Sequence, residues 1–317
     1  MPWEDIKTAG KLLKEVFGAA SPPLYASGTN DCDRNSNSDT MAALVETAKE
    51  TGIETGFSFH SYPGDGLAKD ITGDMRKYVL NTTWLRSGVL QATAACVDEW
   101  NSGPRGEGIP IAITEGSSAS GATDPGTPGS NSFTESIFSI AQLGQFARAG
   151  ATLLGRWSIT NLLGSGGAWT VADVAADFFL YAIYNKTVGP GVLSVKGDEA
   201  TEALVYAQCA VSQEFGKNGT VTVFATNPSS APVTLQYSIP TLPRFEYVLT
   251  APNNDPSATT PVLNGDTASP LRLESDGSLP RMDPVFCGQI GCHETITLPP
   301  LSYGFFVLLE AGAAVCK

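Results

Sequence analysis

Between residues 24 and 185, short strand-like runs alternate four times with longer stretches of helical spacing, and this rhythm constrains the fold more than any other feature. The runs are Leu24–Ser27, Gly56–His60, Ile109–Thr114 and Ala151–Trp157; the helical stretches lie at about 39–51, 85–100, 134–149 and 175–185. Strands joined through helices have a crossover long enough to run parallel, whereas tight hairpins make antiparallel pairs. The pattern therefore predicts a parallel sheet. A leading helix precedes it, with Trp3, Ile6, Leu12, Leu13, Val16 and Phe17 on one face and Lys and Glu between them.

Past Gly189 the rhythm changes. Short alternating runs, Ala203–Cys209, Thr220–Thr226, Val233–Ser238, Tyr247–Thr250 and Tyr303–Leu309, are separated by Pro, Gly and Asn turns. Alternation with turn signals predicts an antiparallel β-sandwich. The boundary falls at Gly189-Pro190-Gly191, giving an α/β region over 1–189 and an all-β region over 190–317. Four βα units do not close a barrel, because half of an eight-stranded one leaves two open edges. The expected fold is the C-terminal half of a (β/α)8 TIM barrel followed by the sandwich, with an N-terminal segment or a partner subunit completing the barrel.

The chain has 19 basic and 32 acidic residues, a formal charge of −13. That balance argues against nucleic acid as a partner. No apolar stretch approaches the roughly 20 residues that span a bilayer, and the N-terminus has no signal-peptide core. The six cysteines point elsewhere. None forms the close pairs of a zinc site, although Cys287 and Cys292 flank a Gly-containing loop and are placed to bridge locally. Sequons at Asn81, Asn185 and Asn218 are compatible with glycosylation. An even cysteine count with sequons favours an oxidising compartment: secreted, extracellular, lysosomal or vacuolar.

Within the parallel region one residue draws attention. Glu115 ends the run Ile111-Ala112-Ile113-Thr114 and leads straight into a Gly/Ser/Pro-rich stretch, 116–132. In a (β/α)8 barrel, catalytic side chains sit at such C-terminal strand ends. Spacing alone leaves two readings open, a nucleophile or a solvated strand-end carboxylate. His60, one of two histidines, ends the preceding strand, with Tyr62 two residues on. It either holds a neighbouring carboxylate or packs as a satisfied histidine; His293 lies in a turn of the all-β region.

These residues sit in an ordered series: Phe59-His60-Ser61-Tyr62, Thr114-Glu115-Gly116-Ser117-Ser118-Ala119, Asp177-Phe178-Phe179-Leu180, Val262-Leu263-Asn264-Gly265 and Leu301-Ser302-Tyr303-Gly304-Phe305-Phe306-Val307. The series resembles the C-terminal part of the heparanase-like glycoside hydrolases of family 79, retaining β-glucuronidases, over nearly the whole chain. The resemblance implies that Glu115 is the nucleophile, an ionised carboxylate that attacks the anomeric carbon to form a covalent glycosyl-enzyme. It implies that His60 and Tyr62 line the cleft and orient that carboxylate.

The resemblance also implies substrate-binding glycines, whose backbone approaches an anion that a side chain would block. Gly121 matches one after the nucleophile, while the next family glycine is Ala122 here. Gly166 and Gly167, in Gly164–Trp169, match a second such loop, but the family's Gly-Asn-Tyr pattern is absent and Ala168-Trp169 stands near the usual tyrosine. The other reading of these glycines is a tight turn, and of Trp169 either sugar stacking or packing. The family's acid/base is a Glu preceded by Asn, and no Asn-Glu dipeptide occurs in this chain. The acid/base is therefore expected upstream of Met1. Cys209 and Cys316 match a disulfide of animal members, whereas Cys32 and Cys96 have no counterpart and are expected as free thiols.

Two functions follow as expectations. One is a retaining β-glucuronidase acting on glucuronate-containing oligo- or polysaccharides; the other is a non-catalytic glycan-binding or interaction protein on the same fold. Where family heparanases carry a basic residue after the aromatic, this chain has Pro63-Gly64-Asp65-Gly66-Leu67, with Lys69 the nearest cation. A lightly charged glucuronide, such as a plant or algal side chain, suits it at least as well as a sulfated one. No metal or organic cofactor is implied.

Overall fold

The computed structural model describes residues 3–27, 34–64, 79–102, 109–119, 132–156, 174–196, 201–211, 215, 218–288 and 292–316. Helix α1 (Trp3–Phe17) leads into β1 (Leu24–Ser27), α2 (Arg34–Thr51) and β2 (Thr55–Ser61). Then come α3 (Thr82–Ser87), α4 (Val89–Ser102), β3 (Ile111–Gly116), α5 (Phe133–Arg148), β4 (Ala151–Arg156) and α6 (Ala176–Thr187). Strands β1 to β4 form one sheet in sequence order. Every pairing in it is parallel, as the rhythm predicts.

Two differences have local causes. The single helix expected over 85–100 is two helices, because Gly88 caps α3 with a non-helical ψ of −149° and returns its N–H to the Trp84 carbonyl. Strand β3 is displaced towards its C-terminal end relative to expectation. Pro110 has no N–H for the ladder, and only its carbonyl joins, accepting from Phe57 N–H at 2.9 Å. The strand then runs on through Glu115 to Gly116.

The antiparallel part begins at β5 (Val188–Leu193) and continues with β6 (Leu204–Ala210), β7 (Val221–Asn227), β8 (Val233–Leu235) and β9 (Arg244–Thr250). It ends with β10 (Val262–Leu263), β11 (Val285–Cys287), β12 (Ile296–Leu298) and β13 (Ser302–Leu308). Six of these run in the order β10-β9-β13-β7-β6-β5, β11 adds to β9, and β8 pairs separately with β12. Leu235, Ile296 and Leu298 of the small sheet share a core with Val205, Val223 and Phe306 of the large one.

A second, larger core joins the parallel and antiparallel parts. Phe57, Phe59, Ile111 and Ile113 project from the parallel sheet towards the helices, where they join Leu44, Trp100, Phe138 and Phe146. Helix α5 packs on β4 and also on β6, β7 and β13. Phe133 stacks on Tyr303 at 5.4 Å, and Tyr184 of α6 meets Phe224 edge-on at 5.6 Å. Each ring withdrawn from water contributes about 1.5–3 kcal/mol, so the helices are fixed from both sides. Cys209–Cys316 ties β6 to the C-terminal residues and Cys287–Cys292 closes a local loop. Cys96, expected as a free thiol, is instead disulfide-bonded; Cys32 lies outside the described residues.

Candidate active site

A register shift decides where Glu115 points. Side chains alternate along a strand, so Glu115 counted from Ile111 and Ile113 falls on the helix side. Strand β3, however, pairs Phe59 with Ile113 and then His60 with Glu115, passing over Thr114. A bulge of one residue transfers every later side chain to the other face. Glu115 therefore emerges beside His60 on the sheet face opposite the helices, while Gly116 turns towards Gln142 of α5.

The bulge has room because its neighbour is Gly155. A Cβ at that position would lie 2.6 Å from the Thr114 carbonyl oxygen, closer than a carbon and an oxygen tolerate. On the open face, the Tyr62 hydroxyl donates to Glu115 Oε2 at 2.7 Å, and His60 Nδ1 stands 3.2 Å from the same oxygen. The His60 and Glu115 side chains are 25% and 27% exposed, enough for a ligand to reach the carboxylate. Oxygen Oε2 thus accepts from Tyr62 and has His60 beside it, both from the end of β2.

On the helix side of the same strand ends lies a buried ionic group absent from the sequence-based expectations. Arg156, the last residue of β4, donates through Nε to Asp177 Oδ2 at 2.6 Å and lies 3.9 Å from Glu135 Oε1. Arg156 is 3% exposed, Glu135 and Asp177 0%. Burial pushes the Glu135 carboxyl above its ordinary range; Arg156 opposes this and Asp177 adds to it. Burial also works against the Arg156 charge, but the two carboxylates outweigh it and keep the guanidinium ionised. Tyr181 is likewise pushed up, first by burial and then by Asp177. The available sequence signal was Arg156, a charged residue at a strand end as Glu115 is.

The loop leaving Glu115 is pinned from both sides. Ser117 N–H donates to the Ser61 carbonyl at 3.3 Å, and Gly64 N–H donates to the Ser118 carbonyl at 2.7 Å. Ser118 N–H donates to Glu135 Oε1 at 2.9 Å, and its hydroxyl donates to Glu135 Oε2. Of the residues expected at the site, the structure brings Glu115, His60 and Tyr62 together. Gly121, Gly166, Gly167 and Trp169 lie outside the described residues, as do Asp65 and Lys69.

A partly exposed glutamate thus ends a parallel strand, with a tyrosine and a histidine from the end of the adjacent strand at one of its oxygens. The chain is related to the heparanase-like glycosidases over part of their length. It is 27% identical to a hyaluronoglucuronidase from Hirudo nipponia over 279 residues, which cover 83% of this chain and 52% of that protein. With the heparanase of Gallus gallus it shares 28% identity over 202 residues, 59% of this chain and 36% of that one. The chain thus spans about half the length, or less, of the curated relatives it matches. No protein-family model matches the sequence. Among solved structures, a 4-O-α-L-rhamnosyl-β-D-glucuronidase from Fusarium oxysporum shares the fold, with a TM-score of 0.62 at 14% identity, over 97% of this chain and 65% of that one. Among the described residues no helix is long and apolar enough to cross a membrane.

Proposed function

We propose that this chain carries the nucleophile half of a retaining β-glucuronidase acting on glucuronate-containing glycans. In this reading its parallel sheet is the last half of a (β/α)8 barrel and its antiparallel sheets form a sandwich. The observation that carries the reading is the Tyr62–Glu115–His60 contact on the open face of the strand ends. The Tyr62 hydroxyl donates to Oε2 with His60 Nδ1 beside it, leaving Oε1 to attack the anomeric carbon. A covalent glycosyl-enzyme then forms, and water releases it with the same stereochemistry. Retaining hydrolysis needs a second carboxyl roughly 5–5.5 Å away to protonate the leaving group. Glu135, close in the chain, is buried and bound to Ser118 and is not free for that role, which the family resemblance gives to a Glu preceded by Asn, a dipeptide this sequence does not contain.

The names of the relatives support the substrate class, since hyaluronoglucuronidase and β-D-glucuronidase both denote cleavage at glucuronate. Disulfides and sequons support a secreted or lysosomal/vacuolar location. The test is Glu115→Gln in the full-length protein with an aryl β-glucuronide as substrate. Turnover should be abolished; unchanged turnover overturns the reading.

A further inference from the structure

Ser132 and Glu135 have the spacing of a capping box, in which the Glu reaches back to the N-cap of its own helix. Here it does not. Ser132 makes no side-chain cap for α5 and its hydroxyl is among the buried atoms without a partner. The Glu135 carboxylate points instead across the strand ends to Ser118, three residues after Glu115, and holds both its N–H and its hydroxyl. A glutamate with 0% exposure is costly to bury unless bonded, and these bonds go to the loop that leaves the nucleophile strand. The other end of Ser118 is fastened too, its carbonyl accepting from Gly64, two residues past Tyr62.

Ser118 is thus the node where three elements meet: the exit of β2 that carries His60 and Tyr62, the exit of β3 that carries Glu115, and the first turn of α5. Arg156 and Asp177 close the group from β4 and α6. Helix α5 is itself packed between the two sheets, so a contact to Glu135 is a contact to a helix seated on both.

We propose that Glu135 is a positioning residue for the glycosidase reaction, clamping Ser118 so that the β2 and β3 exits keep Glu115 Oε2 within reach of both Tyr62 and His60. The proposal rests on Glu115 being the nucleophile. A misplacement of about 1 Å at reacting atoms costs about 10²-fold in rate, and a loop freed from one of its two anchors moves on that scale.

The test compares Glu135→Leu, Glu135→Gln and Ser118→Ala in the full-length protein, using an aryl β-glucuronide. Glu135→Leu should lower kcat of the folded enzyme about 10²-fold, with KM changed by less than about threefold. Glu135→Gln keeps an acceptor for Ser118 N–H and should restore kcat to within about threefold of wild type. Ser118→Ala removes only the hydroxyl contact and should fall between, which keeps the proposal testable if Glu135→Leu does not fold. Hydrogen exchange at the Ser118 amide should quicken in Glu135→Leu and not in Glu135→Gln. Full kcat in both Glu135→Leu and Ser118→Ala, with Glu115→Gln inactive, overturns the clamp alone. Full turnover in Glu115→Gln overturns the functional reading beneath it.

Discussion

Tyr62 and Glu115, 53 residues apart in sequence, meet at the ends of adjacent parallel strands, where the phenol hydroxyl donates to the carboxylate at 2.7 Å. A hydrogen bond to a charged group is worth about 1.5–3 kcal/mol, and partial exposure puts this one at the low end. Tyr62→Phe should therefore reduce kcat for an aryl β-glucuronide about tenfold while leaving KM near wild type. A variant with unaltered kcat would show that His60 alone holds Oε2.

The buried group makes stability depend on pH in a defined direction. Glu135 faces Arg156, Asp177, Ser118 and Tyr181, and burial raises its pKa above the ordinary value. The folded chain then binds the Glu135 proton more tightly than the unfolded chain does. Stability from this site is whole below the ordinary glutamate pKa, about 4.3, and is lost as pH rises through the folded value. Wild type should lose stability relative to Glu135→Gln as pH rises above the ordinary glutamate pKa, about 4.3, read from thermal unfolding at a series of pH values. Parallel curves for the two proteins would contradict it.

Much of this was legible in the sequence, and the parts that were not share a cause. The four β-α alternations stand out because apolar spacing reports directly on local structure. Glu115 stands out as a strand-end carboxylate before a Gly/Ser loop, though its spacing fits a solvated side chain equally well and only the family resemblance implies a role. Its facing does not. Parity along Ile111-Ala112-Ile113-Thr114-Glu115 points the carboxylate at the helices, and only pairing with the neighbouring strands reveals the bulge. Glu135 was hidden by an ordinary alternative, since a glutamate in a first helical turn suits the helix dipole without any tertiary partner. Arg156 and Asp177 lie 21 residues apart in sequence, and their contact depends on how α6 packs. The Cys96 disulfide was equally unreadable, because spacing does not assign pairings.

The Cys209–Cys316 bridge spans 107 residues and fastens the C-terminal residues to β6. Constraining so long a loop in the unfolded chain stabilises by about 2–4 kcal/mol. Hydrogen bonds between Gly219 and both Ala313 and Cys316 hold the same end, so Cys316→Ser should fold but unfold at lower urea. Glu115, on the parallel sheet, should keep its kcat in the folded fraction. An unchanged urea midpoint under non-reducing conditions would mean that the hydrogen bonds suffice.

Gly155 gives the sharpest test of how the nucleophile acquires its face. The bulge at Thr114 swings its carbonyl towards β4, and a Cβ on residue 155 would sit 2.6 Å from that oxygen. In Gly155→Ala the backbone must shift, and the element free to shift is the bulge, which carries Glu115 with it. Overpacking costs about 1–3 kcal/mol of stability, so a fall in Tm alone would not separate a misplaced nucleophile from a strained core. Gly144→Ala supplies the control: its Cβ would meet the buried Tyr206 ring at 2.1 Å, where α5 packs on β6. Both variants should lower Tm. Only Gly155→Ala should lower kcat per folded molecule, by about tenfold or more. Equal kcat in the two would mean that the bulge survives the clash and that Glu115 owes its direction to Tyr62 and His60 instead.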